Sequence, residues 1–109
     1  MRATKLERAV LDWIADREFP LASRLIDVEV ASREHSGAGL YVYLSDEGPD
    51  WDRPPVDGPV IESPQLEMGA GSVLWLSRGE PHCLEIYAFG DHFPEVLDEF
   101  NLSGSDHSV

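Results

Sequence analysis

The stretch "GAGLYVYLS", Gly37–Ser45, returns 32 positions later as "GAGSVLWLS", Gly69–Ser77. Each copy is a triplet of small residues followed by an apolar run. Side chains two apart on a strand point to the same side. Leu40, Val42 and Leu44 therefore share one face, and Tyr41 and Tyr43 share the other. In the second copy Leu74 and Leu76 repeat the first face, and Val73 and Trp75 the second. A glycine motif cradles phosphate when it opens a helix beside a cation. Here both triplets open strands, no lysine lies within ten residues of either, and Glu67 precedes the second. The glycines thus read as backbone devices for positive φ in a turn or bulge. The echo predicts two similar hairpins packed side by side; nine residues twice are too few for a repeat architecture.

Working outward, "DVEVASRE" alternates, with Val28 and Val30 on one face and Glu29 and Arg33 on the other. "HSGAG" turns it into the first copy, and "RGEP" turns the second copy into "HCLEIYAF". "VIESPQLEM" reads as a weaker strand, at an edge or bulged, because Pro64 interrupts it. Parity then assigns Leu40, Val42, Leu44, Leu74, Leu76, Leu84, Ile86 and Ala88 to one side of the sheet. The other side receives Glu29, Arg33, Tyr41, Tyr43, Val73, Trp75, Cys83, Glu85, Tyr87 and Phe89. A sheet face turned to water alternates to polar residues, and this second side carries large rings instead.

Before the sheet comes a helix. "TKLE", Thr4–Glu7, has the form of a capping box. Leu6, Ala9, Val10, Trp13 and Ile14 follow as one apolar stripe, and Pro20 ends it by about Glu18. "PLASRLI" predicts a short second helical turn. "DEGPDWDRPPVDGP", Asp46–Pro59, holds four prolines and five acids, which predicts a long loop without regular structure. After Pro94 the chain reads as irregular, with a short turn around Glu95–Phe100. The fold class is α+β, with an N-terminal helix on a four- to five-stranded, largely antiparallel sheet. One domain over residues 1–102 and a flexible tail over 103–109 are expected.

The 109 residues carry 21 acids against eight Lys and Arg, a formal charge of −13. Residues 1–24 hold five basic and four acidic groups, whereas residues 25–109 hold three and seventeen. That field repels nucleic acid and anionic lipid and attracts basic partners or metal cations. Cys83 is the single cysteine, so no internal disulfide forms. Glu7, Arg8, Asp12, Asp16 and Arg17 interrupt the N-terminal apolar residues. Neither a signal peptide nor a membrane span is read there, and a cytoplasmic location is expected.

Candidate chemistry is sparse. His35, His82, His92 and His107 stand beside Glu34, Cys83, Asp91 and Asp106, but none has zinc-ligand spacing. His82 and Cys83 point to opposite faces of a strand and cannot chelate together. Cys83 lies among acids, which raises a thiol pKa and opposes nucleophilic use. No GxSxG elbow is present. No catalytic residue, metal site or cofactor is assigned. Trp51, between Asp50 and Asp52 in the proline-rich loop, reads either as an anchor for a basic partner or as a plug over the sheet.

"SREHSGAGLYVYL" followed by "GAGSVLWLSRGEPHCLEIYAFGDHFP" resembles a family of small uncharacterised bacterial proteins. Its members pair an SRE-x-(S/T)-G-x-G-aromatic hairpin with a GAG…LE-aromatic hairpin. "LERAVLD" in the leading helix also fits, so the resemblance spans roughly residues 5 to 102. It implies a bacterial, single-domain, standalone protein and brings no catalytic residue with it.

Three functions compete on these grounds, the third being a weak enzyme whose residues the sequence does not reveal. The first is a non-enzymatic protein-binding module, in one concrete form an immunity-type inhibitor whose acidic surface masks a basic toxin. The second is a small-molecule or metal-cation binding domain using the aromatic sheet face. Arg33, Tyr41, Tyr43, Trp51, Trp75, Glu85 and Tyr87 are the binding residues expected, with Arg33 and Glu85 placed to pair or to orient a ligand. The occupants expected on that face are the Trp51 loop, a second copy in a homodimer, or a protein partner such as a basic one; nucleic acid and membrane are not expected.

Overall fold

The computed structural model describes residues 1–45, 55–90 and 92–104. Thr4 starts the first helix, α1 (Lys5–Arg17). Its hydroxyl accepts the Glu7 N–H at 3.2 Å, and the Glu7 carboxylate accepts the Thr4 N–H at 2.8 Å. Two otherwise unpaired donors of the helix start are satisfied this way. The helix stops after Arg17, where the Glu18 N–H closes on the Ile14 carbonyl and Pro20 follows. Phe19–Leu21 make one 3-10 turn with Pro20 near its start. Helix α2 (Ala22–Leu25) completes the short second helical segment expected there.

The buried face of α1 is Leu6, Glu7, Val10, Leu11 and Ile14. It is rotated from the stripe read in the sequence. Leu11 is inside, while Ala9 and Trp13 are half-buried at the border. The Arg17 guanidinium covers the Trp13 ring, 3.6 Å from its centroid.

Among the described residues seven strands form one sheet: β1 (Ser32–His35), β2 (Gly39–Tyr43), β3 (Val56–Asp57), β4 (Val60–Glu62), β5 (Ala70–Ser77), β6 (Glu80–Ala88) and β7 (Asn101–Ser103). The order is β1-β2-β6-β5-β4-β7, β3 also pairs β5, and every pairing is antiparallel. The α+β class is as expected, with two further strands. β3 falls in the proline-rich stretch expected to lack regular structure. β7 falls where an irregular chain and then a tail were expected, and its Ser103 pairs with Val60. Strands of two or three residues carry too little alternation to be read from sequence. β4 is no edge strand: β7 covers its outer side. Between β3 and β4 the register against β5 slips by one residue, since Asp57 faces Val73 but Ile61 faces Ala70.

The echo is explained by β6. β2 and β5 flank it, both antiparallel to it, in the same register. Gly39 and Gly71 both face Tyr87, Val42 and Leu74 both face Leu84, and Tyr43 and Trp75 both face Cys83. The spacing of 32 in the sequence is therefore a shared alignment on one central strand. The first glycines of both triplets, Gly37 and Gly69, have φ of 86° and 80°, a backbone that L side chains avoid. The third glycines make room. A Cβ on Gly39 would sit 2.6 Å from the Ile86 carbonyl oxygen, and one on Gly71 would sit 2.6 Å from the Tyr87 ring.

The helix side of the sheet is the core. Val42, Leu74, Leu76, Leu84 and Ile86 are fully buried with Leu11, Ile14 and Leu25. Each such side chain contributes about 1.5–3 kcal/mol of burial. The segment after β6 straps this layer. The Phe93 N–H donates to the Gly37 carbonyl, Gln65 Nε2 to the Val96 carbonyl and Lys5 Nζ to the Asp98 carbonyl. Among the described residues no helix is long and apolar enough to cross a membrane.

Candidate functional site

On the face of the sheet away from α1, two rows of side chains lie across β2, β6 and β5. One row is Tyr41, Glu85 and Val73; the next is Tyr43, Cys83 and Trp75. The central strand thus presents a small thiol and a carboxylate, and its neighbours present rings. A small residue between two large ones leaves a hollow. Tyr41, Tyr43, Trp75, Cys83 and Glu85 line an open concavity of about 320 Å³. The Trp75 indole Nε1–H donates to Glu85 Oε1 at 3.0 Å, across the diagonal of the two rows. Glu85 is half-buried, and this bond fixes both side chains.

The charge around this hollow is negative. Cys83 is 4% exposed, and burial first, then the Glu85 carboxylate, push its thiol up to about 12. At neutral pH the sulfur is therefore a neutral floor, in line with the raised thiol pKa expected from the sequence. The Tyr43 phenol is also raised, by burial first and then by Cys83, Glu34 and Tyr41. Among the described residues no Lys or Arg lines the concavity.

Of the expected binding residues, Tyr41, Tyr43, Trp75 and Glu85 are brought together here. Tyr87 lies one row further along, its ring over Gly71 and edge-on to Phe89 at 5.9 Å between centroids. Tyr87 and Phe89 are 38% and 48% exposed, so the aromatic face continues into solvent. Trp51 lies outside the described residues.

Arg33 does not belong to this face. Its Nε and Nη2 donate to the two oxygens of Glu7 at 2.6 and 2.7 Å, on the helix side of the sheet. The pairing of Arg33 with Glu85 is thereby excluded. The physical reason is that β1 begins only at Ser32. Parity counted from Val28 runs through residues that are not strand, and Glu29, also expected on the aromatic face, precedes β1 for the same reason. Glu7 is fully buried, and Arg33 also donates to the Arg2 carbonyl at 2.7 Å. The carboxylate holds the Arg33 guanidinium even more firmly in its charged form than usual, chiefly through their hydrogen bonds.

That ion pair borders a second hollow of about 440 Å³ that the sequence reading missed. Leu6, Leu40, Phe93 and Leu97 line it, with His35 at the rim. Three of its polar side chains are engaged within the fold: Glu7 with Arg33, Lys5 with the Asp98 carbonyl, and His35 with the Pro94 carbonyl. His82 is the extra residue of a bulge opposite Trp75 and Leu76, so strict alternation with Cys83 does not hold there. Among the described residues no three His, Cys, Asp or Glu side chains converge.

Comparison with protein-family models, curated proteins and solved structures finds no match for this chain.

Proposed function

We propose that this chain is a non-enzymatic protein-binding module of the bacterial cytoplasm that docks a basic partner on its aromatic sheet face. An immunity-type inhibitor of a basic toxin is the concrete form. The observation that carries the reading is the run of rings from Tyr41, Tyr43 and Trp75 to the exposed Tyr87 and Phe89 on one side of the sheet. Contiguous aromatic surface of this kind marks interaction sites. The net charge of −13 favours a basic protein over a second copy of the chain, because two copies repel. The neutral thiol of Cys83 supports a binding role over a nucleophilic one. The resemblance to small bacterial proteins accords with a standalone module in that compartment.

The test is affinity capture from the native host read by mass spectrometry, with light scattering on the purified chain. A basic protein retained by the wild type and lost from a Tyr43→Glu, Tyr87→Glu variant of unchanged circular dichroism is the expected result. A wild-type homodimer that the same variant dissociates, with no captured protein, replaces the basic partner by a second copy. Capture unaffected by the variant overturns the use of this face.

A further inference from the structure

We infer that the hollow above Cys83 is an aromatic cage for the side-chain ammonium of a lysine on the basic partner. This rests on the docking role proposed for the aromatic face and names the chemistry at its centre.

The walls come from strands on either side of β6. Neighbouring strands are about 4.8 Å apart, so side chains on β2 and β5 leave the backbone roughly 10 Å apart across β6, and the Trp75 indole reaches in as far as Glu85. That gap admits one alkyl chain with a ring on each flank. Tyr43 and Trp75 are those flanking residues, because both pair with Cys83. Tyr41 adds a third ring, beside Glu85 in the next row. Ring faces attract cations through their quadrupole, most strongly for Trp, and a desolvated setting strengthens the attraction.

Glu85 supplies the full negative charge. One of its oxygens accepts the Trp75 indole N–H. Among the described residues the other oxygen has no hydrogen-bond partner. A guanidinium recognises a carboxylate best as a bidentate fork, which needs both oxygens. A lysine ammonium is a compact point charge and needs one. The single available oxygen therefore selects lysine over arginine. Glu34 on β1, opposite Tyr41, adds to the negative field, as the raised Tyr43 phenol reflects. Arg33 on β1, opposite Val42, is turned to the other face and held by Glu7. The floor is the neutral sulfur of Cys83, small enough to leave depth.

The experiment titrates the full chain with tetramethylammonium chloride, tert-butanol, sodium chloride and the peptide tetralysine, followed by the Trp75 indole N–H resonance. Tetramethylammonium and tetralysine should shift it saturably; tert-butanol, the neutral isostere, and sodium chloride should not. Glu85→Gln keeps an acceptor for the indole and preserves the fold. It should weaken both cations about tenfold, and Tyr41→Leu should weaken them by a similar factor. Ile26→Ser, at an exposed position away from the aromatic face, should leave them unchanged. Equal shifts with tert-butanol, or an affinity indifferent to Glu85→Gln, overturn the inference. Shifts with tetramethylammonium but none with tetralysine overturn the lysine assignment in favour of a small quaternary ammonium. If the host partner is lost by Tyr43→Glu yet retained by Glu85→Gln, the docking role stands and the cage does not. If both cations bind as described while capture ignores the face, the cage stands and the docking role does not.

Discussion

Two carboxylates on opposite sides of the sheet, Glu7 of α1 and Glu85 of β6, are held in opposite ways. On the helix side Glu7 is fully buried and gives both oxygens to Arg33, with the Thr4 N–H as a further donor. On the aromatic side Glu85 is half-buried and receives one indole N–H. The first carboxylate is saturated and serves to lock α1 onto β1. The second retains capacity toward a ligand. A buried charge is tolerable only when paired and hydrogen-bonded, so the helix side had to close around its carboxylate. The aromatic side, with rings instead of a helix over it, did not. Stability and recognition are thus divided between the faces, and the comparison can be broken at either.

The largest effect should come from the closed side. Arg33→Ala leaves Glu7 buried without its cation and should cost about 3–5 kcal/mol in urea unfolding. Replacing both partners by apolar residues, Glu7→Leu with Arg33→Met, should recover most of that loss, because the penalty lies in the unpaired charge. A single variant as stable as the wild type would mean that the pair is dispensable. Next in size is the helix stripe. Leu11→Ala should cost about 2–5 kcal/mol, and Trp13→Ala less, since Leu11 is fully buried and Trp13 half-exposed under Arg17. The reverse order in chemical denaturation would return the core to the stripe read in the sequence.

The open side answers to alkali. The Cys83 thiol is raised from 9.0 to about 12 in the folded chain, so folding favours its protonated form. That contribution is whole below about pH 9 and is lost as pH rises toward about 12. At its steepest the loss is about 1.4 kcal/mol per pH unit. Cys83→Ala should flatten the alkaline fall of the urea midpoint without removing it, because the raised Tyr43 phenol acts in the same direction. Identical slopes for wild type and variant would show that the thiol is not the titrating group.

What could be read from the sequence follows the same division. Leu74, Leu76, Leu84 and Ile86 were legible because β5 and β6 are long enough for alternation to show. Tyr41, Tyr43, Trp75 and Glu85 followed from the same parity. Arg33 was placed on the wrong face because the strand leading to it starts late. Glu7 was legible as a capping residue and illegible as a buried one, since nothing local announces a cation 26 residues away. β7 depends on pairing with Val60–Glu62, a contact that no local pattern encodes. The depth of the hollow came from Cys83, read as a packed residue without weighing what its small size leaves open.

The smallest effect on stability, and the sharpest contrast between the faces, belongs to Tyr87 and Phe89. Both are large and apolar, and in the core either would cost several kcal/mol on truncation, about 3–5 for Phe→Ala. Here they are 38% and 48% exposed and touch each other edge-on. The Tyr87 ring lies on Gly71, which has no side chain to interlock with it. Surface substitutions away from caps, cavities and buried networks usually stay within about 0.5 kcal/mol. Tyr87→Ser with Phe89→Ser should therefore lower stability by about 1 kcal/mol or less. The same pair should reduce retention on a hydrophobic-interaction column, because it removes the most exposed rings of the aromatic face among the described residues. A loss comparable to that of Arg33→Ala would make these rings a second core, and the division between a closed and an open face would fail.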